Sequence, residues 1–108
     1  MPRPCKCRRV ERFPHAMFFK PAGIPLTELD ELCLSVEGLE ALRLADAEGL
    51  SMDDAAARMG VSRHTFGRIL RQARRTVAEV LSRGVALRID GGNYRLDEAG
   101  GSGENDNN

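Results

Sequence analysis

Tryptophan is missing from this 108-residue chain, tyrosine occurs once and phenylalanine four times. At 11.9 kDa that leaves one domain with a small core plus tails, and it argues against a multi-domain enzyme. Long apolar runs are missing too. The longest, Ala16 to Phe19, has four residues, far short of the roughly 20 that a membrane-spanning helix needs. The basic N-terminal stretch has neither the apolar core nor the small-residue cleavage site of a secretory signal, which predicts a cytoplasmic protein with no membrane partner. Three cysteines, Cys5, Cys7 and Cys33, cannot all pair within one chain and are too few for a disulfide scaffold, so reduced thiols are the simplest reading. There is no glycine-rich phosphate loop and no Ser/His/Asp or Cys/His arrangement in a plausible context. The chain is therefore not expected to be an enzyme or to need a cofactor.

Charge is present in quantity and is not evenly mixed. The 16 basic and 16 acidic residues cancel overall, but residues 1–20 hold six basic groups against one acidic, and residues 58–88 hold eight against one. The intervening stretch 21–57 holds nine acidic groups against one basic, and 89–108 holds five against one. Two basic surfaces that can face a polyanion follow from such alternation, unless the blocks neutralise one another within the fold.

Five prolines fall between Met1 and Pro25 with no helical period, so residues 1–25 read as an extended basic arm. Its Phe13, Met17, Phe18 and Phe19 call for burial against the rest of the domain. Ser35 with Glu37 predicts a capped helix to about Glu48, stopped by Gly49. Leu26 to Leu34 fits either a short helix or a strand. Ser51, with Asp53 and Asp54 in its first turn, predicts a second helix ending at Met59, with Gly60 as its C-cap, Val61 as an apolar plug and Ser62 as the next cap. Val85 to Ile89 and Tyr94 to Leu96 flank Asp90-Gly91-Gly92-Asn93, the pattern of a small hairpin. The stretch 99–108 reads as a disordered tail. The expected architecture is mostly α: a helix-turn-helix domain over residues 26–98, with an extended N-terminal arm and a small C-terminal β-hairpin.

The third helix has the clearest pattern. Phe66, Ile69, Leu70, Ala73, Val77 and Val80 form one apolar stripe to about Arg83, with Gly84 as the stop. At about 100° per residue, Arg63, Arg74, Gly67, Arg71, His64, Arg75 and Arg68 fall on the opposite face. Glu79 is the only acid in this helix, whereas a merely solvated face normally mixes signs to form i,i+4 pairs. Such a helix is suited to lie along phosphates while its first residues reach base edges. Gly67 fits that reading, because an interior glycine costs about 1 kcal/mol relative to alanine and is easier to justify where the backbone must approach something closely. Ala55 and Ala56 supply the small residues needed where the two helices cross, and Gly60, Val61, Phe66 and Ile69 meet the remaining demands of a helix-turn-helix.

Several strings in residues 1–96 carry a resemblance: Pro2-Arg3-Pro4, Phe19-Lys20-Pro21-Ala22-Gly23-Ile24-Pro25, Glu40-Ala41-Leu42-Arg43-Leu44-Ala45-Asp46, Met59-Gly60-Val61-Ser62-Arg63, Thr65-Phe66-Gly67-Arg68-Ile69-Leu70 and Ala86-Leu87-Arg88-Ile89. Together they resemble a family of small uncharacterised prokaryotic proteins described as predicted DNA-binding, whose helix-turn-helix is like sigma-factor region four. The resemblance implies DNA binding through the motif and no established target. Two positions depart from the family's pattern: Gly38 stands where an acidic residue is usual, and His64 where glutamine is usual.

The sequence thus points to sequence-specific binding of double-stranded DNA, as a transcriptional regulator. Ser62, Arg63, His64, Thr65 and Arg68 are the candidates for base-edge and adjacent contacts. Arg71, Arg74 and Arg75 are the candidate phosphate contacts on the helix, with Arg3, Lys6, Arg8 and Arg9 on the arm. A single small motif commonly gains affinity by dimerising on a palindrome, so a homodimer joins DNA among the expected partners. The alternatives are a protein-interaction module contacting the transcription machinery and a cysteine-based metal or redox sensor. Against a metal site, Cys5 and Cys7 are separated by one residue where structural zinc pairs use two to four, and His15 and Cys33 form no second close pair. His15 is expected as a partly buried ring.

Overall fold

The computed structural model of the protein describes residues 7–96. Expectations at Arg3, Cys5 and Lys6, and the tail from residue 99, lie outside these residues. Three helices and two small sheets make up the described part. Strand β1 is Arg8–Val10, β2 is Phe18–Phe19, β3 is Glu31–Leu34, β4 is Ala86–Ile89 and β5 is Tyr94–Leu96; the helices are α1 Val36–Leu42, α2 Met52–Met59 and α3 Arg63–Arg83. Between β2 and β3 a single 3₁₀ turn covers Leu26–Glu28, so the ambiguous stretch 26–34 contains both a short helix and a strand.

The serines and glycines act where their chemistry places them. Ser35, Ser51 and Ser62 each accept the backbone N–H three residues on, at Gly38, Asp54 and Thr65, satisfying donors that a helix start leaves open. Gly60 ends α2 at φ 69°, a left-handed conformation that a side chain would strain. Arg83 is the last residue of α3 and Gly84 its C-cap. Unlike the expected helix to Glu48, α1 ends at Leu42 and passes into a π turn over Arg43–Ala47, where the Glu48 N–H donates to the Arg43 carbonyl five residues back at 2.8 Å.

The C-terminal hairpin is corrected by the sheet pairing. Both strands exist, but they do not pair with each other: β4 is the centre of a three-stranded sheet, parallel to β3 and antiparallel to β2, while β5 pairs in parallel with β1. The intervening loop is committed elsewhere. The Val36 N–H donates to the Gly91 carbonyl, and the Asn93 N–H donates to Glu37 Oε1 at 2.7 Å. Gly92, at φ 108°, lies so close that a Cβ there would overlap the Glu37 carboxylate. The glycines therefore let the chain pass over the start of α1 instead of folding back on itself.

That pairing also changes the arm. Arg8 and Arg9 are strand residues, Val10 is fully buried, and Arg8 donates its N–H to the Asn93 carbonyl at 3.1 Å. Phe18 is half-buried beneath the Arg88 guanidinium, 5.0 Å from the ring centre, whereas Phe13 and Phe19 are 47% and 53% exposed. His15 is exposed as well. Burial was expected for these three; the short β2 turns only part of its stretch inward.

Two apolar clusters form the core. One joins Val10, Leu34, Val36, Leu87 and Ile89 to Ala73 and Val80 of α3. The other packs Ala41, Leu44, Ala55, Ala56, Met59, Phe66 and Leu70. α3 spans both, so its position is fixed along its length by the sheet at one end and by α1 and α2 at the other. Gly38 is buried where α1 meets α3, and a Cβ there would stand 3.4 Å from the Ala73 Cβ and 3.0 Å from Leu34. Gly38 thus sits at a close helix crossing.

Candidate functional site

Three residues, Gly60 to Ser62, join α2 to α3. Ala55 and Ala56 are buried against Phe66 and Leu70, and Val61 packs on the same cluster. Ser62 caps α3, its Oγ accepting from the Thr65 N–H at 3.0 Å and donating to Thr65 Oγ1 at 3.1 Å. The Ser62 hydroxyl is therefore committed to the cap, while the Thr65 hydroxyl keeps its own proton to donate.

Beyond the cap, the outer face of α3 is exposed at Arg63, His64, Arg68, Arg71, Arg74 and Arg75. These candidates share one face but not one electrostatic state. Arg74 forms a two-pronged pair with Asp46 at 2.6 and 3.1 Å. Its hydrogen bonds hold the Asp46 carboxyl below the ordinary value and raise the Arg74 guanidinium. Arg63 stands 3.6 Å from Asp53, and Arg75 is 4.0 Å from Glu79; both are loose, solvent-exposed pairs worth little. Arg68 and Arg71 have no side-chain partner among the described residues. Gly67 lies on the same face, and among the described residues only Met52 Cε, at 3.4 Å, would meet a Cβ placed there.

The described arm residues flank this helix on two sides. Arg9 reaches toward the connection between α2 and α3, its Nη2 being 3.9 Å from the position of a Gly60 Cβ. Arg8 turns toward the middle of α3, lining a cavity together with Arg68, Arg71 and Arg75. Neither belongs to a free arm.

An ion network unforeseen from the sequence positions α2. Glu40, 3% exposed, accepts from Arg43 Nε and Nη2 at 3.0 and 2.9 Å and from the Glu11 N–H at 2.9 Å. Arg58 of α2 donates twice to Glu11, at 2.7 and 2.9 Å, and Arg43 also pairs with Glu48. Arg58, with Arg43, holds the Glu11 carboxyl below its ordinary value despite partial desolvation. The hydrogen bonds of Glu40, foremost, raise the Arg43 guanidinium. A signal did exist in the string Glu40-Ala41-Leu42-Arg43, whose i,i+3 spacing puts acid and base side by side on a helix.

Cys7 and Cys33 are free and exposed. Among the described residues no group of three or more His, Cys, Asp or Glu side chains is placed to hold a metal, and no helix is long and apolar enough to cross a membrane.

Residues 1–97 match the family described as "Protein of unknown function DUF134". A "UPF0251 protein" of Pelotomaculum thermopropionicum is 60% identical over 96 residues, which cover 89% of this chain and 73% of that protein. Relatives of the same name from Moorella thermoacetica and Desulforudis audaxviator are 59% and 58% identical over 96 and 94 residues, or 89% and 87% of this chain. Those alignments span 64% and 61% of the relatives' own lengths, so the chain corresponds to less than two thirds of each. No solved structure matches the chain.

Proposed function

The chain belongs to the DUF134 family of proteins of unknown function, and from that premise we propose that it binds double-stranded DNA as a transcriptional regulator, with α2, the Gly60–Ser62 connection and α3 acting as a helix-turn-helix. The observation that carries this reading is the outer face of α3, where Arg68 and Arg71 stand exposed without a side-chain partner among the described residues, in a helix whose only acid is Glu79. Unpaired arginines on an ordered helix keep their planar donor forks available for phosphate or guanine. Gly67 adds support: the neighbour that a Cβ would meet is the flexible end of Met52, so packing among the described residues does not require glycine there.

In this arrangement Arg63 and His64, directly after the cap, enter the major groove first and read base edges, with Thr65 and Arg68 adjacent. Arg71 and Arg75 hold phosphates further along, and Arg9 approaches the backbone beside the turn. Three to five such contacts predict that the logarithm of the affinity falls with the logarithm of salt concentration at a slope of about −2.7 to −4.5 per protomer. Titrating a labelled duplex at several salt concentrations tests this. A slope near zero would contradict the reading.

A protein-interaction module is the second reading, and it draws on a different face. An apolar cavity of about 660 Å³ lies beside the exposed Phe13 and Phe19, with Leu39 and Leu42 in its wall. Absence of duplex binding at low salt would favour that module.

A further inference from the structure

Between β1, the β3–α1 junction and the middle turns of α3 lies an open cavity of about 630 Å³, within the range of small-molecule sites. Among the described residues four arginines line it, Arg8, Arg68, Arg71 and Arg75, against a single acid, Glu37. The Glu37 Oε1 accepts the Asn93 N–H at 2.7 Å, which fixes the carboxylate in place without cancelling its charge. Of the four arginines only Arg75 has an ion-pair partner among the described residues, Glu79 at 4.0 Å. Arg8 adds a guanidinium with no ion-pair partner among the described residues, and its buried Nε has no hydrogen-bond partner among them. Buried donors are almost always satisfied, and an orphaned one calls for an acceptor.

We propose that this cavity binds a small free polyanion of the phosphate-ester or diphosphate class. Four arginines against the one Glu37 carboxylate leave a net excess of three positive charges among the described lining residues, which matches a ligand carrying two or three negative ones, and several guanidinium forks on one concavity suit tetrahedral phosphate oxygens. A duplex phosphodiester carries one charge per unit and sits on a stiff convex backbone, so it meets Arg68, Arg71 and Arg75 at the rim and leaves Arg8, on the β1 side of the cavity, without an anion. Three of the four arginines also belong to the DNA face proposed above. If that reading holds, occupancy of the cavity opposes DNA binding by neutralising them, making the anion a negative effector.

The test uses the full chain and pyrophosphate as the probe, by isothermal titration at constant ionic strength. Expected is saturable one-to-one binding that Arg8→Gln and Arg71→Gln each weaken about tenfold or more, and that Arg63→Ala, outside the cavity, leaves unchanged. Arg71 is exposed, so its variant remains informative even if the change at Arg8, in β1, costs stability. A second arm measures duplex affinity with and without saturating pyrophosphate. Loss of about two phosphate contacts predicts a roughly 30-fold fall at about 0.15 M salt, since each contact is worth about fivefold there. Absence of saturable pyrophosphate binding, or binding indifferent to both Arg8→Gln and Arg71→Gln, would overturn the site. Pyrophosphate binding that leaves duplex affinity unchanged would overturn its role as an effector. Intact pyrophosphate binding in a protein that does not bind duplex DNA would remove the DNA reading and leave the site standing.

Discussion

Arg71 and Arg74 lie one turn apart on the same face of α3 and look interchangeable on a helical wheel, yet they should behave differently toward DNA. Arg71 has no side-chain partner among the described residues, whereas Arg74 is held by Asp46 through bonds of 2.6 and 3.1 Å. One free cation on a phosphate releases about 0.9 counterion, which at about 0.15 M salt corresponds to roughly fivefold in affinity. Arg71→Ala should therefore weaken binding to any duplex about fivefold and make the salt slope about 0.9 shallower. For Arg74→Ala the change should be well under half of that, because Asp46 already cancels the charge. Arg74 keeps the Asp46 carboxyl below its ordinary value, so the pair stays ionised throughout the neutral range. Asp46→Asn should then release Arg74 and do the reverse, strengthening binding up to about fivefold and steepening the slope by as much as 0.9, the worth of one phosphate contact. Fluorescence anisotropy of a labelled random-sequence duplex between about 50 and 200 mM salt measures all three. Equal slopes for the two alanine variants, with no gain from Asp46→Asn, would refute the reasoning.

Glu40→Ala removes the buried carboxylate that accepts three hydrogen bonds. Breaking a buried pair costs about 3–5 kcal/mol, moderated here because Arg43 retains Glu11 and Glu48, so a loss of roughly 2–3 kcal/mol and a thermal midpoint lower by about 10–20 °C are expected; a change under about 3 °C would show the network to be solvated. Glu11 has its carboxyl pKa lowered in the fold from 4.5, so its contribution is complete above that ordinary value and is lost as pH falls through the lowered one. The acid limb of a thermal-midpoint profile should accordingly be shallower in Glu11→Gln, and an unchanged limb would contradict this. Gly67→Ala should raise the midpoint, because an interior alanine is favoured by about 1 kcal/mol and among the described residues meets only Met52 Cε at 3.4 Å, while weakening duplex binding. A gain in both would mean that the α3 backbone does not approach DNA at that point.

Local chemistry made the helices legible. Ser35, Ser51 and Ser62 marked the starts, Gly60 and Gly84 the ends, and the stripe from Phe66 to Val80 the buried side of α3. The strands from Ala86 to Ile89 and Tyr94 to Leu96 were legible one by one, but their partners were not: β5 pairs with β1 at the other end of the described chain, and no local pattern records that distance. The turn glycines misled for a physical reason, since Gly91 and Gly92 serve a close approach to the start of α1 as readily as a hairpin. At the candidate site, periodicity identified the cationic face but not its electrostatic partners. Asp46 is 28 residues from Arg74, and Glu11 is 47 from Arg58. Arg8 read as an arm residue because prolines surround it, yet its strand hydrogen bonds turn it toward α3.

The central claim, that the start of α3 reads base sequence in duplex DNA, is tested most directly by selecting bound molecules from a random duplex pool with the wild-type chain and with Arg63→Ala and His64→Gln. The wild type should enrich a defined consensus. Arg63→Ala should lose one preferred base pair at a cost of about 1–3 kcal/mol while keeping non-specific binding, and His64→Gln should change the preference at one position. Failure of the wild type to enrich any sequence, or the same consensus from all three proteins, would contradict the account.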